Sequence, residues 1–222
     1  MCGRYSLTVD QEALTAALEV EVLFRHEPRY NIAPTQTVPV VVREEGSRLQ
    51  KGFRWGLVPG WADDPSIGNR MINARGETAA EKPSFRVPFR RRRCLVPADG
   101  FYEWKKEDGG KVPFWIHREG GGILTFAGLW DRWEGEDGHA LETFTIVTTE
   151  ANELLRPIHR RMPVILSAGG AQRWLDPAAG RSELQALLAR APSEVLDVRE
   201  VSTHVNSPSH DDPGCIQPVG AG

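Results

Sequence analysis

The chain has 222 residues, of which 40% are hydrophobic and 26% charged, and its formal net charge is -3. These values match soluble globular proteins and exclude a wholly disordered chain, a collagen and a coiled coil, and the length favours one domain over residues 1–222. No apolar run reaches the roughly 18 residues of a spanning helix, and the chain does not start with the apolar segment of a signal peptide. We therefore expect no membrane association and a cytoplasmic location, nucleoid-associated if the source is bacterial.

Alternating apolar residues and β-branched runs predict strands along most of the chain. The predicted strands cover residues 4–7, 38–43, 49–55, 94–96, 101–105, 112–117, 123–129, 143–148, 163–166 and 195–201. Fewer segments have helical periodicity. The predicted helices are 11–20 after the N-cap Asp10, 150–155 after Thr149, a short helix from Ser167 to before Pro177, and 183–190 with a capping box of Ser182 and Gln185.

These elements predict an α+β fold, in which a mostly antiparallel sheet curls into a partly closed β-barrel with a few peripheral helices. The 22 glycines and 16 prolines fit many turns between short strands. Residues 201–222 are rich in turn-forming residues and are predicted to form an ordered loop with a loose end. We expect the protein to be a monomer.

Basic residues are concentrated between Gly68 and Pro97, where eight arginines and lysines face only two acidic residues, Glu77 and Glu81. Most basic residues of the chain are arginines, which bind phosphate through a planar, bidentate guanidinium group and stack on bases. The run Arg90 to Arg93 has two interpretations, a solvated loop or an electrostatic rim beside a binding surface. The concentration keeps nucleic acid open as a partner despite the negative net charge.

Three cysteines, Cys2, Cys94 and Cys215, are far apart in the sequence and form no CxxC pair. Neither a zinc knuckle nor a disulfide framework is therefore indicated. His204, His210 and Cys215 would supply only three ligands in a proline-rich tail, so we expect no metal site and no cofactor.

Cys2 is the residue with the most distinctive chemistry. A small residue at position 2 permits removal of Met1, which leaves an α-amine and a thiol on one residue. An α-amine has an ordinary pKa of about 7.7 to 8.0, so a useful fraction is neutral at physiological pH. Such an amine condenses with an aldehyde, and the neighbouring thiol can then close a five-membered thiazolidine ring.

Five further parts of the sequence carry a family resemblance. They are Arg4, 54–62 (RWGLVPGWA), 73–78 (NARGET), 94–104 (CLVPADGFYEW) and 159–166 (HRRMPVIL). Together with Cys2 they strongly resemble the SRAP (SOS-response-associated peptidase) family over residues 1 to about 218. Members of that family bind abasic sites in single-stranded DNA and cross-link to them covalently.

The resemblance implies roles for four residues. Cys2 matches the nucleophile that forms a thiazolidine with the ring-opened sugar, and Asn73 matches an active-site asparagine suited to orienting the amine or a sugar hydroxyl. Glu103 matches the catalytic glutamate that moves protons, and His159 matches the catalytic histidine that protonates a sugar oxygen or a leaving group. The activity implied is cross-linking, with strand cleavage or reversal, and self-processing as a peptidase, as further activities of the same site.

Each of these residues also has a plainer interpretation. The pleat of the predicted strand 101–105 places Glu103 on the same face as Phe101, opposite Tyr102 and Trp104, but Glu103 could instead pair with a surface lysine or arginine. Asn73 could be a turn residue and His159 a hydrogen-bonded residue before a strand. The joint match of the motifs favours the functional interpretation.

Single-stranded DNA with abasic sites is the partner that the resemblance implies. Arg4, Arg75 and Arg161 lie in the matched motifs and are the predicted phosphate contacts, while Trp61, on a Pro-Gly loop, is predicted to stack beside the missing base. Trp55 is equally compatible with the core, and the other five tryptophans are interpreted as packing residues. Association with the replication machinery is compatible with this function, although no motif identifies such a partner.

Two positions depart from the family pattern: Arg160 stands where an acidic or amide residue is common, and Gly76 where a small side chain is common. Three alternatives stay open. An N-terminal-cysteine amidohydrolase of the glutaminase type also begins Met-Cys-Gly, a cysteine peptidase would use Cys2 with His159 as base, and a non-catalytic DNA-binding module would not need Cys2.

Overall fold

The computed structural model describes residues 2–188 and 195–220. The strands in these ranges are β1 (Tyr5–Leu7), β2 (Glu21–Val22), β3 (Arg29–Ile32), β4 (Thr37–Glu44), β5 (Ser47–Trp55), β6 (Asn73–Arg75), β7 (Arg93–Ala98), β8 (Gly100–Glu107), β9 (Gly110–Arg118), β10 (Leu124–Glu134), β11 (Ala140–Glu150), β12 (Arg161–Pro163) and β13 (Leu196–Glu200). The α-helices are α1 (Gln11–Leu18), α2 (Gly76–Ala79), α3 (Pro83–Arg91), α4 (Ala168–Leu175) and α5 (Arg181–Ala186).

A closed barrel forms the centre of the fold. Strands β11, β10, β7, β4 and β5 are neighbours in that order through antiparallel pairs. The ring closes where β5 meets β11 in parallel, with Arg54 opposite Thr143 and Trp55 opposite Phe144. The predicted α+β class with a curled, mostly antiparallel sheet is confirmed, and closure is more complete than predicted because this parallel pair joins the two edges.

The long strand β11 connects the barrel to the site described below. Its first half pairs with β10 and β5, whereas its second half is flanked by β6 in parallel and by β12 in antiparallel fashion. These pairings put Asn73 opposite Ile146 and Arg161 opposite Glu150. Residues that are nearly ninety positions apart in the chain therefore lie on the two strands that flank β11.

A second sheet, in the order β13, β9, β8, β1 and β3, is antiparallel throughout. Strand β8 alternates between two apolar regions, as its predicted pleat requires. Phe101 packs into the main core together with the barrel residues, whereas Tyr102 packs on the opposite face with Val201, Val205 and Cys215. The face of Phe101 and Glu103 thus points towards the barrel.

Two of the predicted helices differ from those in the structure. No helix forms at 150–155, because β11 continues to Glu150 and residues 153–158 form turns, with Pro157 restricting the backbone before it. The helix predicted at 183–190 is α5, which begins after Gly180, whose N–H donates to Glu183 at 3.1 Å. Residues 189 and 190 of that prediction lie outside the described ranges.

The segment that follows β13 folds back over the second sheet. It contains two 3-10 turns, Thr203–Asn206 and Pro213–Cys215. Asp211 fixes the segment to β3, where its carboxylate accepts hydrogen bonds from the main-chain N–H groups of Tyr30 at 2.6 Å and Asn31 at 2.9 Å. Within the described part of the chain, no helix combines the length and apolar character needed to cross a bilayer.

Candidate active site

Cys2 lies at the start of the second sheet and is completely buried. Its Sγ donates a long hydrogen bond to the carbonyl of Arg4 at 3.8 Å, and the same carbonyl accepts from the main-chain N–H of Tyr102 in β8 at 3.0 Å. Burial raises the pKa of the Cys2 thiol well above its usual value, and the nearby carboxylate of Glu103 raises it further. Cys2 is therefore held as a neutral thiol beside Glu103.

Asn73 reaches Cys2 from the other sheet. Its Nδ2 donates a hydrogen bond of 2.8 Å to the main-chain carbonyl of Cys2, while its Oδ1 is buried and accepts no hydrogen bond from the described residues. Asn73 has this position because β6 pairs with β11. The amide fixes the residue that carries the thiol and keeps an acceptor for another donor.

Glu103 in β8 is a buried carboxylate, with 5% of the residue exposed. Burial raises its pKa above 4.5, the ordinary value, and the neighbouring His159 counteracts part of this rise. The predicted alternative, a surface pair with a lysine or arginine, does not fit this burial. A carboxyl group with a raised pKa exchanges protons more readily near neutral pH than an ordinary glutamate does.

His159 follows the turns after β11 and is half-buried. Its Nδ1 lies 3.8 Å from Oε1 of Glu103. The same nitrogen accepts the main-chain N–H of Arg161 at 3.0 Å, and the carbonyl of Arg161 lies 3.1 Å away. The imidazole is thus oriented by the backbone of the strand that follows it.

The side chain of Arg161 is tied into the edge of the site by four hydrogen bonds. Two go to the carboxylate of Glu77 in α2, at 2.6 and 2.9 Å, and two go to Thr148 of β11, at 2.6 Å to its carbonyl and 3.2 Å to its hydroxyl. The guanidinium pulls the pKa of Glu77 below its usual value. Arg161, predicted as a phosphate contact, therefore already holds a carboxylate.

Arg4, another predicted phosphate contact, is engaged by the chain itself. Its Nη1 donates to Asn31 at 2.7 Å and to the carbonyl of Val205 at 2.9 Å, and its guanidinium lies 5.8 Å from the ring centroid of Trp104. These contacts join the start of β1 to the segment after β13. Arg4 therefore links the beginning of the described chain to its last segment, and its contact with a phosphate stays a prediction.

Arg75 and Trp61 are the most accessible of the predicted binding residues. Arg75 is exposed at the end of β6, and the Trp61 residue is 61% exposed. The other tryptophans are buried or half-buried, and Trp55 is completely buried with its Nε1 donating to the carbonyl of Ile72 at 2.9 Å. The core interpretation of Trp55 is therefore confirmed.

The arginine run divides into two kinds of residue. Arg90 and Arg91 are exposed at the end of α3, whereas Arg93 is buried and donates to four main-chain carbonyls. Arg92 forms a short ion pair with Asp131. Neither the solvated-loop nor the rim interpretation describes the whole run, because Arg92 and Arg93 are bonded to other parts of the fold.

The tail brings three potential metal ligands together, of which two, His204 and Cys215, belong to the trio considered in the sequence analysis. Ligand atoms of His204, Asp212 and Cys215 lie within 4.8 Å of one another. His204 and Asp212 are hydrogen-bonded at 2.9 Å, and the thiol of Cys215 donates to the carbonyl of His210 at 3.4 Å. Each of the three groups therefore has a partner in the protein, and the expectation of no metal site stays a prediction.

Glu77 is the residue of this region that sequence reasoning passed over. Glu77 lies inside the matched segment 73–78, but the sequence around a charged residue in a short helix does not show which distant residue it pairs with.

Asp99 in the segment 94–104 was also passed over. It accepts hydrogen bonds from the hydroxyl of Ser6 at 2.5 Å and from the N–H of Thr8 at 2.5 Å, and so fixes β1 beside β8.

Comparison with known proteins agrees with this architecture. A sequence profile of the family described as SOS response associated peptidase (SRAP) matches residues 1–208. Abasic site processing protein YoqW of Bacillus subtilis (strain 168) is 39% identical over 222 residues, which cover 98% of this chain and 99% of that protein. Abasic site processing protein HMCES of Gallus gallus is 36% identical over 230 residues, covering 89% of this chain and 68% of that protein.

The fold is also similar to that of solved structures. A crystal structure of a protein from Bacteroides thetaiotaomicron superposes with a TM-score of 0.89 at 28% identity, covering 98% of this chain and 100% of that one. The family profile extends over most of the chain, and its range contains all four residues predicted for the site. The chain belongs to the SRAP family.

Proposed function

We propose that this protein captures abasic sites in single-stranded DNA by forming a covalent bond through Cys2 after Met1 has been removed. The arrangement of four residues supports the proposal: Asn73 holds the carbonyl of Cys2 at 2.8 Å, and Glu103, which is close enough to shift the pKa of the Cys2 thiol, lies 3.8 Å from His159. The names of the bacterial and avian relatives, abasic site processing proteins, point to the same substrate.

The chemistry begins with the amine. The neutral α-amine of Cys2 adds to the aldehyde carbon of the ring-opened sugar, and loss of one water from the carbinolamine gives an imine. The sulfur then bonds to that carbon while the thiol proton passes to the nitrogen, which closes the thiazolidine. One water leaves overall, and the carbon–oxygen double bond is replaced by bonds to nitrogen and sulfur.

Glu103 and His159 divide the proton transfers. Glu103, with its raised pKa, delivers the proton that lets the hydroxyl of the carbinolamine leave as water and takes a proton back from the nitrogen as the imine forms; as the ring closes, it relays the thiol proton to the nitrogen. His159 protonates the sugar oxygen during ring opening. The same imine permits strand cleavage, in which loss of a proton from the adjacent sugar carbon expels the 3′ phosphate and His159 protonates the leaving group.

The surroundings of the Cys2 thiol favour this function over its rivals. An amidohydrolase or a peptidase attacks with the thiolate, and such enzymes lower the thiol pKa with a neighbouring positive charge. Here burial raises the thiol pKa most and the Glu103 carboxylate raises it further, while the amino group of the chain opposes them only in part. An amine that attacks first, followed by a thiol, fits this environment better than a thiolate that attacks an amide.

Single-stranded DNA would lie across the exposed Arg75 and Trp61. Arg75 supplies a phosphate contact beside the α2 end of the site, and Trp61 supplies a stacking surface. Such contacts do not depend on base identity, so we expect affinity that falls with salt and shows little sequence preference.

The test is a denaturing gel after incubation of the Met1-trimmed protein with a single-stranded oligonucleotide that carries one abasic site. We expect a heat-stable protein–DNA adduct from the wild type. Cys2→Ser keeps the amine, so borohydride should trap its imine, but no heat-stable adduct should form. Cys94→Ala, which removes a buried thiol in β7, is the matched control and should cross-link normally. Absence of an adduct with the wild type would overturn the proposal, and so would a normal adduct with Cys2→Ser.

A further inference from the structure

Glu77 and Arg161 form an ion pair at the edge of the site. Both carboxylate oxygens of Glu77 accept from the two terminal nitrogens of Arg161, in a bidentate pair. Only 16% of the Arg161 side chain is exposed, against 48% for Glu77. The carboxylate thus covers the outer side of a guanidinium whose inner side is held by Thr148.

A carboxylate in this position competes with a phosphate. Both anions present paired oxygens that match the two parallel N–H groups of a guanidinium. A phosphate that approaches Arg161 must therefore displace Glu77 or accept the repulsion of its negative charge. Arg75 also lowers the pKa of Glu77, so the same carboxylate partly cancels a second positive charge near the site.

We propose that Glu77 is a specificity-determining residue: by occupying Arg161 it weakens the binding of intact single-stranded DNA. Tight binding then depends on the covalent bond that forms at an abasic site. The inference rests on the proposed function. Phosphate contacts are the same on intact and damaged strands, so they cannot distinguish the two. When the affinity from phosphate contacts is lower, the protein dissociates readily from intact strands. At an abasic site the covalent bond to Cys2 keeps the protein on the DNA.

The competition persists over the pH range in which the protein would work. Because Arg161 holds the pKa of Glu77 below its usual value, Glu77 stays ionised down to acid pH. Protonation therefore does not release Arg161 under ordinary conditions, and a phosphate has to do so.

The experiment measures binding of an intact, fluorescently labelled single-stranded oligonucleotide by anisotropy, so that no covalent chemistry contributes. Glu77→Gln removes the charge but keeps the shape, and we expect it to bind about fivefold more tightly at low salt. If one extra phosphate contact forms, the plot of log affinity against log salt should steepen by about 0.7. The gain in affinity should accordingly shrink about threefold between roughly 50 and 200 mM salt.

Two further variants make the result specific. Glu81→Gln is the matched control, since Glu81 forms an exposed pair with Arg181 at 3.0 Å just beyond the same helix, and its loss should change affinity less than twofold. Adding Arg161→Gln to Glu77→Gln should abolish the gain, because the extra contact is assigned to Arg161. Thermal melts confirm that each variant is folded.

Each outcome separates the two proposals. The role of Glu77 is refuted, and the proposed function stands, if the wild type forms the adduct with abasic DNA but Glu77→Gln binds intact DNA no more tightly than the wild type. The same conclusion holds if Glu77→Gln and the double variant with Arg161→Gln bind intact DNA equally tightly. If Glu77→Gln binds intact DNA more tightly through Arg161 but the wild type forms no adduct, the competition is real and the covalent function is wrong. If neither the wild type nor Glu77→Gln binds intact strands, the role of Glu77 is refuted as well.

Discussion

Replacing Arg93 with methionine should destabilise the protein strongly, although arginine is usually a surface residue. The Arg93 residue is only 6% exposed, and its guanidinium donates to the carbonyls of Phe89, Arg90, Trp174 and Asp176. These carbonyls belong to the ends of α3 and α4, where the last carbonyls of a helix have no partner within the helix. One side chain therefore caps two helices and joins them to β7.

The expected loss follows from the burial of the acceptors. The bonds to Phe89 and Trp174 are fully buried, whereas those to Arg90 and Asp176 are partly buried, so water can replace only the second pair. A buried acceptor left without a partner costs about 1–3 kcal/mol, which gives a loss of about 2–6 kcal/mol in the free energy of unfolding. For a chain of this size the melting temperature should fall by roughly 5–20 °C.

Urea unfolding followed by circular dichroism measures this loss directly. Methionine keeps most of the length and apolar volume of the arginine stem, so the experiment isolates the hydrogen bonds. Arg91→Met is the matched control, since Arg91 is exposed in the same run, and it should change the free energy of unfolding by less than about 0.5 kcal/mol. A loss below about 1 kcal/mol for Arg93→Met would refute the argument that these carbonyls depend on the guanidinium.

Two further changes test the site. Glu103→Gln should slow adduct formation by about 10²–10⁴, as time courses on denaturing gels would show, and an unchanged rate would contradict its role in proton transfer. Because folding raises the pKa of Glu103, the contribution of this residue to wild-type stability should fall as pH rises above 4.5. The glutamine variant should therefore gain stability relative to wild type above pH 4.5 and lose this advantage below it, as melts of both proteins on each side of pH 4.5 would show. Trp61→Ala should weaken binding of single-stranded DNA by roughly tenfold in anisotropy titrations without lowering the melting temperature, and equal affinity would exclude stacking by Trp61.

The strands predicted with most accuracy are those whose local pattern and final pairing agree. The predicted strand 38–43 became Thr37–Glu44 and 94–96 became Arg93–Ala98, because these β-branched or apolar runs are buried in the barrel. Short strands such as Asn73–Arg75 escaped prediction, since three residues carry little periodicity and their pairing with β11 is non-local. Closure of the barrel depends on a parallel contact between β5 and β11, which no local pattern encodes.

The site shows the same division between local chemistry and distant partners. The sequence motifs identified Cys2, Asn73, Glu103 and His159 as candidates, and the structure places Asn73 against Cys2 and His159 near Glu103. Their catalytic roles stay predictions. What the motifs did not indicate is how the arginines are used, since the partners of Arg4 and Arg161 lie far away in the chain, at Val205 and Glu77.

The contact between Arg4 and Val205 has a consequence for how the protein is made. Arg4 is translated early, yet the carbonyl that accepts from its guanidinium belongs to a residue 201 positions further along the chain. In a nascent chain this hydrogen bond cannot form until the segment around Val205 has left the ribosome and docked. A change that displaces the segment around Val205 therefore removes a contact of Arg4, which lies two residues after Cys2.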